Sequence, residues 1–166
     1  MSILRRVRLL VIPTTMLAAL IAVQVALAHE PDHTVTGGGT FISSGFPRRF
    51  GVSARDSWNT DSGEFQMGGV TSLGQTFAFH ADVTCVNVVG SVAYLGGTAR
   101  SGSGSDGADA TGKILRARLD EGSPDRATVS LRPVGTDIPS NCFASELTNA
   151  GAVVKGQIEI RVVPVP

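Results

Sequence analysis

The sequence is poor in the side chains from which most active sites are built. It has three histidines, two cysteines, one tryptophan and one tyrosine among 166 residues. No Gly-x-Ser-x-Gly elbow presents a nucleophilic serine, and the serines are too numerous for one to be singled out. Lysine occurs twice against twelve arginines, and no run of basic residues supplies an electrostatic footprint for nucleic acid. No long stretch keeps a helical period, so nothing competes with an all-β reading. With two cysteines, a disulfide is the simplest pairing, because a metal or nucleophile role needs a third partner that the sequence does not offer.

What is present begins with an export signal. Arg5, Arg6 and Arg8 form a positive start, residues 9–25 are largely apolar, and Ala26-Leu27-Ala28 is a small-x-small cleavage site. About 20 apolar residues can span a bilayer. Pro13, Thr14, Thr15 and the Ala-Leu-Ala end nonetheless favour cleavage over a retained anchor. Arg8 stands where a twin-arginine signal carries an apolar residue, which favours the general secretory route. The expectation is a signal peptide over residues 1–28 and a single all-β domain over residues 29–166. Loss of three arginines leaves eleven basic against fourteen acidic residues, a net charge of −3. Arginine over lysine, with abundant glycine and alanine, fits a GC-rich bacterial genome.

The centre of the expected domain is residues 77–100, FAFHADVTCVNVVGSVAYLGGTAR. Phe77, Phe79, Ala81, Val83 and Cys85 alternate with polar or small residues, the period-two pattern of a half-buried strand. Gly90-Ser91 suits a type II′ hairpin turn. The return strand has Val92, Tyr94 and Leu95 to pack, and Gly96-Gly97 to bend or bulge it. This alternation puts Cys85 on the inward face. Its partner is Cys142, and closing a loop of 57 positions stabilises a fold by roughly 4 kcal/mol.

Further strands flank this hairpin. HTVTGGGTFI reads as an edge strand with a glycine bulge, because Gly37-Gly38-Gly39 lacks the Lys and Ser/Thr of a phosphate loop. Residues 43–49 read as a connection broken by Pro47, and FGVSAR as a strand. SWNTDSG is a turn carrying Trp58, which folds over the sheet end or contacts a ligand; residues 64–67 return as a strand. Asp106 and Asp109 lie in a glycine- and serine-rich loop without the ligand ladder of a calcium loop. KILRARL and residues 126–131 flank the acidic turn DEGSPD. Residues 133–139 are irregular, and residues 145–151 read as a loop or one helical turn. In the last strand Ile158, Ile160 and Val162 face one way, and Gln157, Glu159 and Arg161 the other.

VTGGGTF, FGVSAR with GEFQ, VTCVNVVGSVAYLGGTA, DEGSPD and GAVVKGQIEI, in that order, resemble the post-COAP type of β-domain found in secreted bacterial proteins. The resemblance spans most of residues 34–161 and rests on turns and strand alternation. It implies no assigned activity, and it makes Asp120 a turn residue. The cysteine pair lies outside the matched pattern.

Two minority readings involve histidine. Asp82 shares a strand face with His80 and could orient it as a base, although the two also read as a solvent-facing polar pair. Cleavage after Ala28 would leave His29 as the first residue, whose amine and imidazole could chelate copper with His80 or His33. The reading carried forward is an antiparallel β-sandwich or partly closed barrel of about eight to ten strands, tied by Cys85–Cys142. It is expected to be a secreted, non-catalytic binding or structural module without catalytic residues, cofactor or metal. Its expected partner is an extracellular ligand or envelope component rather than nucleic acid. The membrane enters only through the signal peptide before cleavage. The alternative is a small secreted enzyme or copper protein using His80 and His29.

Overall fold

A computed structural model describes residues 32–57 and 60–163. The expectations for the signal peptide, His29 and Trp58 lie outside the described residues. Eight strands run in chain order: β1 Asp32–Ser43, β2 Phe46–Asp56, β3 Ser62–Val70, β4 Thr76–Val89, β5 Val92–Gly102, β6 Ile114–Asp120, β7 Arg126–Arg132 and β8 Gly151–Val163. Each pairs antiparallel with the next, and β8 returns to β1, so the sheet closes on itself. Of the two expected architectures this is the barrel, and it is fully closed. No described helix is long and apolar enough to cross a membrane.

Closure follows from one apolar face per strand. Phe41, Phe50, Phe65 and Phe79, from β1 to β4, point inward and touch in sequence, with ring centroids 5.9, 6.2 and 6.5 Å apart. The opposite wall supplies smaller residues, among them Ala93, Ala99, Ala117 and Ala127, interleaved with Leu95, Leu115 and Leu119. Large side chains thus meet small ones across a lumen that eight strands leave just wide enough to fill. The outer face carries Ser53, Arg55, Glu64, Gln66, His80, Asp82 and Arg100, all exposed. That is the inverse of a lipid-facing barrel, whose outer band is apolar.

Three local expectations are corrected. The glycine run is not on an edge: β1 is paired along its length with both β2 and β8. A Cβ on Gly37 would lie 2.3 Å from the Gln157 carbonyl oxygen, so the run allows close backbone approach. The bulge falls at Thr40/Phe41 instead. Residues 43–49 are no open connection, because Ser44 and Gly45 (φ 52° and 80°) make a two-residue hairpin turn and Pro47 lies within β2. Positive φ at both positions is the signature of a type I′ turn.

Cys85 is the third. Val83 pairs with Gly97, but Cys85 pairs with Gly96, leaving Thr84 as an extra residue in β4. One extra residue reverses the alternation. Val86 therefore points inward, and Cys85 turns to the outside of the barrel. There it bonds Cys142, with Cα atoms 5.6 Å apart, as a disulfide requires. Cys142 belongs to an excursion, residues 133–150, that packs on the outer wall of β5 and β6. Phe143 and Leu147 from the excursion join Ile114, Tyr94 and Ile138 in a second small core. Gly96 makes room for it, since a Cβ there would lie 2.6 Å from the Ile138 side chain. The Gly90-Ser91 hairpin turn joins β4 to β5 as expected, with Gly90 at φ 62°.

Candidate functional site

The residues singled out from the sequence are not brought together as a catalytic set. His80 is exposed on β4, in register with Gln66 of β3 and Ser101 of β5, and has no hydrogen bond among the described residues. Asp82 does not orient it, because its carboxylate accepts from Arg100 at 2.9 Å. Arg100 is the extra residue of a second bulge, opposite His80/Ala81, and its guanidinium also donates to Glu64 at 3.0 Å. These two carboxylates raise the Arg100 pKa, Glu64 contributing most. A base without an orienting acid and without a bonded nucleophile lacks the arrangement that nucleophilic hydrolysis uses.

The metal readings fare similarly. His33 is on the inward register of β1, at the barrel end, where Nδ1 lies 3.2 Å from Oδ2 of Asp56. Burial raises the Asp56 pKa, against the opposing effect of that contact. His80 points outward from β4, three strands away, or about 14 Å at ordinary strand spacing. His33 and His80 therefore cannot share one ion. Asp61, Cys85 and Cys142 crowd together. The two sulfurs are spent in the disulfide, and Asp61 accepts the Val86 N–H at 2.7 Å. Asp106 and Asp109 are engaged by their own loop, with Ala108 N–H on one and Thr111 N–H on the other, at 3.1 and 2.9 Å. These backbone donors lower both carboxyl pKa values. Asp120 is the last residue of β6 rather than a turn residue, paired with Val92 and Arg126, and its carboxylate forms a two-point pair with Arg118 at 2.7 and 3.0 Å.

A site does emerge on the outer face of β2, β3 and β4. A cleft of about 230 Å³ is lined by Arg49, Gln66, Gly68, Ala78 and His80. It shares Gln66 and His80 with a second of about 260 Å³ that reaches Ser53 and Glu64. It shares Arg49 and Gly68 with a third of about 520 Å³ that reaches Thr40, Pro47, Val70 and Thr76. The three follow one another along β3 from Glu64 to Val70, a depression of about 20 Å at strand rise in which neighbouring clefts have side chains in common. Gln66 lies flat across β2: a Cβ on Gly51 would be 2.8 Å from its Nε2. Pattern reading put Ala78 and His80 on the outward face of their strand, but left Arg49 in a connection and gave Gln66 no face. It missed the depression, because that depends on which neighbours on four strands come into register.

A smaller cleft of about 210 Å³ opens at one mouth of the lumen, where Met67, Phe79, Val129 and Leu131 meet Gly104, Asp106 and Lys113. Nearby, Arg48 of β2 faces inward, 9% exposed, with its guanidinium carbon 4.6 Å from the Phe77 ring centroid. Its Nη1 is buried without a hydrogen-bond partner, and burial lowers its pKa.

No family model, curated protein or solved structure matches this chain.

Proposed function

We propose that the protein is a secreted, non-catalytic binding module of the extracellular space or cell envelope, of the post-COAP type, and that it binds through the outer depression of β2–β4. The carrying observation is the succession of three adjacent clefts along that face, open to solvent and flanked by the hydrogen-bonding groups of Thr40, Arg49, Gln66 and His80. The lumen, by contrast, is filled by its own side chains. The disulfide supports an oxidising location, since such bonds persist outside the reducing cytosol. The polar outer wall fits a barrel surrounded by water.

Ala78 is exposed on the floor of the depression, so Ala78→Trp blocks it without touching the core. Arrays of extracellular glycans and peptides should give a ligand whose affinity falls at least about tenfold in Ala78→Trp, with melting unchanged. A ligand bound equally by both forms would place the site elsewhere. Turnover in a hydrolase panel that His80→Ala abolishes would replace this reading with an enzyme.

A further inference from the structure

Most of the described arginines are engaged. Among the described residues Arg55, Arg100, Arg116, Arg118, Arg132 and Arg161 pair with carboxylates, and Arg126 donates to the Ala150 carbonyl. Lys113 pairs with Asp106. Arg48, Arg49 and Lys155 have no such partner, and register places them together. Lys155 of β8 is opposite Thr40 of β1, and Thr40 is opposite Arg49 of β2. Arg49 and Lys155 are both exposed, and Thr40 and Arg49 line the largest part of the depression. Their Cα atoms are two strand spacings apart, about 10 Å. The surrounding outward positions, Gly38, Pro47, Gly51, Gly68 and Gln157, carry no carboxylate. Arg48 adds a third positive charge from the inner side of the same strand.

Resting on the proposed binding role, we infer that this end of the depression takes the acidic groups of an anionic polysaccharide, a sugar chain bearing carboxylate or sulfate. Two exposed cations without carboxylate partners, with Arg48 behind them, in a net acidic domain whose other basic groups are mostly paired, supply charge complementarity and steering. The rest of the depression offers Thr40, Gln66, Thr76 and Ser53 to sugar hydroxyls. Single-stranded nucleic acid fits less well, because it is held by aromatic rings on which bases stack. Phe50, Phe65, Phe77 and Phe79 are all buried in the wall behind this face. An extended peptide has no strand edge to join here, since β2 and β3 are paired on both sides.

The test is calorimetric titration of the exported protein with polygalacturonate fragments, dextran sulfate and neutral dextran of matched length. Both charged chains, or one of them, should bind at least about tenfold more tightly than dextran. Binding should weaken as salt rises from about 0.05 to 0.5 M. Arg49→Gln/Lys155→Gln should remove that preference, whereas Arg161→Gln, on the same outer surface but paired with Glu159, should keep it. Dextran binding as tightly, blocked by Ala78→Trp but indifferent to the double substitution, overturns the acidic-ligand assignment and leaves the depression as the site. Charged-glycan binding indifferent to Ala78→Trp sinks both. Absence of binding by every glycan, or tighter binding of a single-stranded oligonucleotide, overturns the inference.

Discussion

Arg48 stands out among single residues because it breaks the inward rule of its own strand. Phe50, Val52 and Ala54 alternate as expected, and the same face extended back by two residues lands on an arginine. The sequence hid this, since Pro47 made the segment look like a connection. The Ser44-Gly45 turn then lets β2 begin at Phe46. Stacking on Phe77 offsets part of the desolvation, but the buried Nη1 has no acceptor. An unsatisfied buried polar group costs about 1–3 kcal/mol. Arg48→Met, similar in length and apolar, should therefore stabilise the barrel by about 1 kcal/mol, read as a higher denaturant midpoint at unchanged slope. A lower midpoint would mean that Arg48 has an acceptor in solution.

The informative elements are those that interrupt the barrel. Only Arg126/Ala152 and Ala127/Gly151 pair between β7 and β8. Beyond them the acidic turn substitutes for a strand: Asp125 accepts the Ile158 N–H at 2.7 Å, and Glu121 the Ile160 N–H at 3.2 Å. Asp125 also accepts from Gly122 within the turn at 2.8 Å. DEGSPD was legible as a turn, but its service to a strand more than thirty residues away was not. Asp125→Ala removes two charge-assisted acceptors and should destabilise by about 2–3 kcal/mol in denaturant unfolding. Asp137→Ala, which removes an exposed carboxylate without such bonds, should change stability by less than about 0.5 kcal/mol. Equal effects would refute the clasp. The excursion is anchored in the same manner. Arg116 and Arg132 converge on Glu146 at 2.7 and 2.6 Å, and Arg118 donates to the carbonyls of Leu147 and Thr148. The outward arginines of KILRARL and RATVSLR thus have a structural use that alternation alone cannot disclose. The hairpin of residues 77–100 was readable because its turn and both strands are local. The Thr84 bulge was not, because an added residue leaves composition intact while reversing every side chain beyond it.

For the whole molecule, alternation fixes that each strand has one buried face, and a sandwich and a barrel use that face alike. Closure depends on β1 finding β8 across more than a hundred residues, a pairing that no local pattern encodes. Among the described residues, the closed barrel offers a ligand the small mouth beside Val129 and Leu131 and the outer depression of β2–β4. They separate cleanly by amide chemical shifts. On titration with the tighter-binding of the polygalacturonate and dextran sulfate fragments, the largest changes should fall at Arg49, Gly68, Ala78 and His80, with Gly104, Val129 and Leu131 unmoved. Changes centred on Gly104, Val129 and Leu131, or none anywhere at saturating ligand, would contradict the outer-face site.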